Sequence, residues 1–124
     1  MSSVPQEQID RLRDRVVGMY SRKPWPSSRD ADEEMGWRLK MLGIEPKDYR
    51  AKKVIELGCG TGEYCLWYAA QGADEVVGVD LSRGSLALAN AKREAARLTN
   101  VSFVEKDVLS IDFPDNTFDY SYSV

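Results

Sequence analysis

The ten residues Val54-Ile55-Glu56-Leu57-Gly58-Cys59-Gly60-Thr61-Gly62-Glu63 restrict the fold more than any other part of this chain. Three glycines alternate between a short apolar run that reads as a buried strand and an apolar stretch at 64–70 that reads as a helix lying on a sheet. Glycine has no Cβ, so the backbone can turn sharply and approach a ligand closely. A turn leaving the C-terminal end of a parallel strand sits where open α/β sheets bind ligands. Free N–H groups at the helix start would favour a ligand carboxylate or another anion. A purely structural tight turn would use the same glycines, but their place between strand and buried helix favours binding. The spacing is not that of a dinucleotide fingerprint. Glu63 stands where a third glycine is needed, and a negative side chain at a helix start repels pyrophosphate, which disfavours an NAD dehydrogenase.

The rest of the chain fits an α/β reading. Ile9, Leu12, Val16, Met19 and Tyr20 recur at helical spacing and predict an amphipathic helix over 4–20. Pro24 and Pro26 around Trp25 predict an extended loop. A second helix is predicted over 30–42, with Met35, Leu39 and Leu42 on its inner side and Gly43 to end it. Residues 44–53 read as a polar connector. After that, strands are predicted at 54–57, 76–79, 101–104 and 118–124, with helices at 63–71 and 82–98. The second of these helices offers Leu88, Ala91, Ala95 and Leu98 as an apolar face and Ser82 or Ser85 as its cap. Such alternation means right-handed βαβ units and a parallel sheet. The expected architecture is a Rossmann-like sheet of about four strands preceded by N-terminal helices. It divides into a helical segment at 1–50 and a partial sheet domain at 51–124.

Composition narrows the chemistry. The 124 residues include no histidine and two cysteines, Cys59 and Cys65. Ser–His and Cys–His pairs and a His-ligated metal are excluded, and no metal site is predicted. The two cysteines read as reduced thiols. Chemistry has to come from carboxylates, hydroxyls, backbone groups or a borrowed cofactor. Residues 1–53 hold 12 basic against 9 acidic side chains, and residues 54–124 hold 5 against 11. An acidic second half argues against a nucleic-acid face. Apolar runs are too short for a membrane span, and the first residues lack a signal-peptide core, so a cytoplasmic protein is expected.

Two further acids stand after predicted strands. Asp80 ends the second strand, where a carboxylate can accept both hydroxyls of a ribose. An aspartate there could also cap the next helix, but Ser82 and Ser85 are capable caps. Asp107 follows the third strand and could receive an adenine amino group, with Val108 packing on the ring.

Taken together, Glu56-Leu57-Gly58-Cys59-Gly60-Thr61-Gly62, Val79-Asp80-Leu81-Ser82, Lys106-Asp107-Val108 and Asp115-Asn116-Thr117-Phe118-Asp119 resemble the class I S-adenosylmethionine-dependent methyltransferases over roughly residues 50–124. The resemblance implies that Gly58, Cys59 and Gly60 pass under the methionine part of S-adenosylmethionine, with Gly62 completing the loop. It implies that Glu56 holds the loop and helps receive the cofactor's amino group. Asp80 would bind the ribose, Leu81 would pack on the adenine, and Asp107 would receive its amino group with Val108 beside it. Ser123 would lie near the methionine end, and Tyr20 and Trp25 could close over the cofactor. Methyl transfer from a sulfonium is an in-line displacement whose reactivity sits in the cofactor, so a chain without histidine can support it.

The family's sheet has seven strands in the order 3-2-1-4-5-7-6, and this chain reaches four. It is therefore expected to be the N-terminal, cofactor-binding portion of a longer enzyme, inactive alone, whose acceptor is a small molecule. A non-catalytic module binding S-adenosylmethionine or a partner is the alternative, and an aminopropyl transferase of the same fold is a third reading. An open fourth strand invites self-association.

Overall fold

The computed structural model describes the backbone of residues 5–22 and 31–123 and the side chains of 5–15 and 33–123. The loop around Trp25, and the Tyr20 side chain, lie outside the described residues. In order come α1 (Gln6–Arg22), α2 (Ala31–Met41), α3 (Pro46–Tyr49), β1 (Lys53–Leu57), α4 (Glu63–Ala70), β2 (Glu75–Asp80), α5 (Arg83–Ala96), β3 (Val101–Glu105) and β4 (Tyr120–Tyr122). The strands form one parallel sheet in the order β3-β2-β1-β4.

This order follows from handedness. The crossovers from β1 to β2 and from β2 to β3 run the same way, so right-handed connections put α4 and α5 on one face. Val54, Val76 and Val101 from the strands meet Cys65, Tyr68 and Ala69 from α4 and Leu86 from α5 there. The alternate positions Ile55, Val77 and Val79 face the other side, against Phe113 and Phe118 from the β3–β4 connection. Period-two alternation in β1 and β2 therefore feeds two cores, and both strands are buried on both faces.

The N-terminal helices join this structure. Met35 and Leu39 of α2 are buried with the α4 residues. Leu42, expected beside them, is 69% exposed. The helix has already ended at that point. Gly43, at φ +71°, donates to the Lys40 carbonyl, while Ile44 donates to that of Leu39, a Schellman closure that turns Ile44 inward instead. The stretch read as a polar connector contains α3, whose Tyr49 is buried against Trp67 and Tyr68 at ring distances of 5.5 and 5.7 Å. Its start is stabilised by the Asp48 carboxylate, which accepts from the Glu45 N–H at 2.8 Å. The face of α5 also differs from expectation. Ser85, Leu86 and Ala89 are buried, Leu98 is partly so, and Leu88, Ala91 and Ala95 point to solvent. Ser82 caps this helix and its hydroxyl bonds that of Ser85 at 2.9 Å, so two serines lie on the buried face and hide its apolar period.

Strand β4 is shorter than predicted. Asp119 clamps its start to β1: its N–H donates to the Lys53 carbonyl and its carboxylate accepts from the Lys53 N–H, both at 2.8 Å. Among the described residues no strand pairs with the outer edge of β4. No helix among them is long and apolar enough to cross a membrane.

Candidate functional site

The glycine turn lies at the C-terminal end of β1 and is held by β2. The N–H groups of Gly58 and Cys59 both donate to the Val79 carbonyl, at 2.8 and 2.9 Å. The Gly60 N–H donates to Asp80 Oδ2 at 2.8 Å, and Asp80 Oδ1 accepts from the Ser82 N–H at 2.8 Å. One carboxylate thus fixes the glycine turn and the entry to α5 together. Asp80 does not cap α5, because Ser82 does. Two backbone bonds leave it acceptor capacity on the cleft side.

The three glycines do different work. Gly58 and Gly60 have positive φ, +73° and +55°, and a Cβ on either would point into open space. Gly62, at φ +83°, has its missing side chain's place filled by Phe103 at 2.8 Å and Ala89 at 2.9 Å. Gly62 therefore lets the start of α4 pack against β3 and α5. Cys59 is buried, with its Sγ 2.9 Å from where a Cβ of Gly78 would lie, so its side chain faces the sheet.

The start of α4 is not an open anion site. Glu63 fills it with its own carboxylate, which accepts from the Thr61 hydroxyl at 2.6 Å and from Lys92 Nζ at 2.6 Å. Burial pushes the Glu63 pKa up, but Lys92, Thr61 and the residue's own N–H outweigh it and hold the carboxyl below its usual value. A ligand carboxylate must be held elsewhere. Lys92 had no sequence signal, since it reaches Glu63 from 29 residues away.

Glu56 lies inside the sheet and is only 2% exposed. Its Oε2 accepts from the Cys65 thiol at 3.2 Å. Burial raises its pKa from 4.5 to about 8; the Cys65 bond opposes this, and the charges of Glu63 and Asp80 add to it.

A cleft of about 490 Å³ opens beside the turn. Gly58, Asp80, Leu81 and Ser82 form its floor, Lys106, Val108 and Leu109 one side, and Ile9, Leu12 and Arg13 of α1 another. Its lining is mostly apolar, with Asp80 the carboxylate among those residues. Asp107 stands behind Val108, where it starts a 3-10 turn (Val108–Ser110) and accepts from the Leu109 N–H at 2.9 Å. Ser123 donates to the Leu57 carbonyl at 3.2 Å and so brings the end of β4 beside the turn. Gly58, Asp80, Leu81 and Val108 thus share one cleft, while Glu56, Cys59, Gly60, Gly62, Asp107 and Ser123 surround or support it. Arg13 and Lys106 are additions from the structure.

Residues 54–124 match a family model described as a methyltransferase domain. A demethylmenaquinone methyltransferase from Shouchella clausii is 35% identical over 121 residues, covering 93% of this chain and 50% of that protein. An S-adenosylmethionine dependent methyltransferase from Mesorhizobium loti superposes with a TM-score of 0.60 at 30% identity, over 75% of this chain and 39% of that one. Phosphoethanolamine N-methyltransferase 1 of Haemonchus contortus, solved with phosphoethanolamine and S-adenosylhomocysteine, shares the fold with a TM-score of 0.75 at 20% identity. That match covers 97% of this chain and 26% of the other. The chain spans about half the length of the curated relatives it matches.

Proposed function

The chain belongs to the class I S-adenosylmethionine-dependent methyltransferases, and from that premise we propose that its cleft binds S-adenosylmethionine and S-adenosylhomocysteine. On this reading it is the cofactor-holding part of an enzyme that methylates a small-molecule acceptor. The carrying observation is the open space over Gly58 and Gly60, next to an apolar cleft that holds the Asp80 carboxylate. A Cβ at either glycine would fill room that a ligand needs, and an apolar slot with one well-placed acid suits a nucleoside.

Asp80 accepts the ribose hydroxyls with the lone pairs its two backbone bonds leave. Leu81 and Val108 pack on the base, and Asp107 accepts its amino group. Gly58, Cys59 and Gly60 present backbone to the methionine part, with Ser123 at that end. Glu56 meets the cofactor's ammonium from below the turn, and Gly62 keeps the turn in place. When bound, the cofactor supplies a methyl group on a sulfonium; the chain's own contribution is position and orientation. Residues 51–124 hold the cofactor, and within the helical segment at 1–50 it is α1 that covers it, through Ile9, Leu12 and Arg13. A small-molecule acceptor is supported by the relatives named demethylmenaquinone methyltransferases. Free, buried Cys59 and Cys65 support a reducing, cytoplasmic setting. The unpaired edge of β4 supports self-association.

Calorimetric titration with S-adenosylhomocysteine tests this. The chain should bind it, and Asp80→Ala should weaken binding by roughly tenfold or more, as expected for lost hydrogen bonds to a charged acceptor. Absence of binding by the unaltered chain, or full affinity in Asp80→Ala, overturns the assignment.

A further inference from the structure

Helix α1 brings a residue to the site from far away in sequence. Ile9, Leu12 and Arg13 lie at i, i+3 and i+4, so they share one stripe, and all three line the cleft. Ile9 is 40% exposed and Leu12 63%, as apolar side chains bordering an open slot would be. Arg13 Nη1 donates to Asp107 Oδ2 at 2.7 Å, while Nη2 donates to Asp10 at 2.9 Å. The other oxygen of Asp107 accepts from the Leu109 N–H. Each carboxylate oxygen has two acceptor sites, so both partners can stay while Asp107 accepts one more bond. The two arms of the planar guanidinium hold Asp107 and Asp10, and with Arg13 on one oxygen of Asp107 and the Leu109 N–H on the other, the plane of that carboxylate is fixed.

We infer that Arg13 is a positioning residue, which sets the Asp107 carboxylate for the adenine amino group and couples the docking of α1 to recognition of that base. The inference rests on the assignment of Asp107 made above. It explains why this arginine joins an acid of its own helix, Asp10, to the acid that follows β3. It also gives α1 a role beyond covering apolar surface: the helix helps select adenine over other bases. A wall made only of Ile9 and Leu12 would stack on any purine.

The test pairs one substitution with one ligand change. S-adenosylhomocysteine is titrated against its purine-riboside analogue, which lacks the 6-amino group, in the unaltered chain and in Arg13→Gln. The unaltered chain should prefer the amino-bearing ligand. Arg13→Gln should lose roughly three- to tenfold in affinity for that ligand and almost nothing for the analogue, the span set by one partly exposed charged hydrogen bond. Arg13→Lys, which keeps the charge but not the fork, should recover only part of the preference. Equal losses for both ligands, or full recovery in Arg13→Lys, would overturn the inference and leave α1 a wall. No preference in the unaltered chain would overturn the Asp107 assignment itself, and the inference with it.

Discussion

Replacing Glu56 by glutamine should stabilise the ligand-free chain at neutral pH while harming its site. Glu56 sits in the middle of β1, paired in register with Gly78 and Tyr122, and is almost wholly buried. Burial is the main reason its pKa rises from 4.5 to about 8. An acid with a raised pKa binds its proton more tightly when folded. Its contribution to stability is therefore complete below pH 4.5 and is lost as pH rises toward 8. The loss runs at up to about 1.4 kcal/mol per pH unit, which amounts to about 3 kcal/mol by pH 7 and about 5 kcal/mol above pH 8. Glutamine has the same shape, can accept from the Cys65 thiol, and does not titrate.

Urea unfolding of both chains between pH 4.5 and 9 measures this. The difference between them cancels the other carboxylates, including Glu63, whose pKa moves the opposite way. Glutamine should gain steadily with pH and level off above about 8. Two parallel curves would refute the reasoning, since Glu56 would then ionise as easily folded as unfolded. The same variant should bind S-adenosylhomocysteine more weakly, because glutamine cannot ionise to meet the ligand's ammonium. A carboxyl kept at a stability cost, in a place where glutamine would pack as well, is what a binding role predicts.

Two glycine substitutions should separate packing from binding. Gly62→Ala should cost about 2–4 kcal/mol in chemical denaturation, from its left-handed φ and the collision with Phe103 and Ala89. Gly60→Ala, strained in φ but free of collision, should cost about 1–2 kcal/mol, yet it should lose more ligand affinity than its stability cost explains. Equal stability losses would mean that the space around the turn is wrongly placed. The open edge of β4 should give mass that rises with concentration in sedimentation, and Ser121→Pro on that edge should reduce it; a mass independent of concentration would remove the proposal.

The parts of the fold that could be read from the chain were those with local causes. Short apolar runs at 54–57 and 76–79, the first stopped by a glycine turn, specify buried parallel strands without help from distant residues. Gly43 announces the end of α2 because a Schellman closure needs a left-handed residue. Most of the misreadings have distant causes. Tyr49 is buried because Trp67 and Tyr68 lie beside it, and nothing between 44 and 53 signals that. The face of α5 is hidden for a local reason, since two serines three residues apart lie on it, bonded to each other. Glu63 could be read as hostile to pyrophosphate, but Lys92 and Thr61, which make it the occupant of the helix start, could not be identified from the spacing.

The same division runs through the site and explains its construction. Sheet order β3-β2-β1-β4 reverses direction between β1 and β4, and a crevice at such a reversal is where open α/β sheets take ligands. Leu57 and Ser123 meet at that point, one residue from Gly58. On the β2 side, the Asp80 carboxylate joins the turn to α5 by accepting from two backbone N–H groups. These anchors need no side chain from outside the sheet, so a short motif after each strand suffices to announce them. The wall over Asp80 and Val108 comes from α1, and the charged link that Arg13 makes to Asp107 spans 94 residues. A contact of that kind leaves no periodicity or spacing behind. Motifs can therefore reveal how a nucleoside is held from below, while what discriminates among nucleosides from above has to be found in the folded molecule.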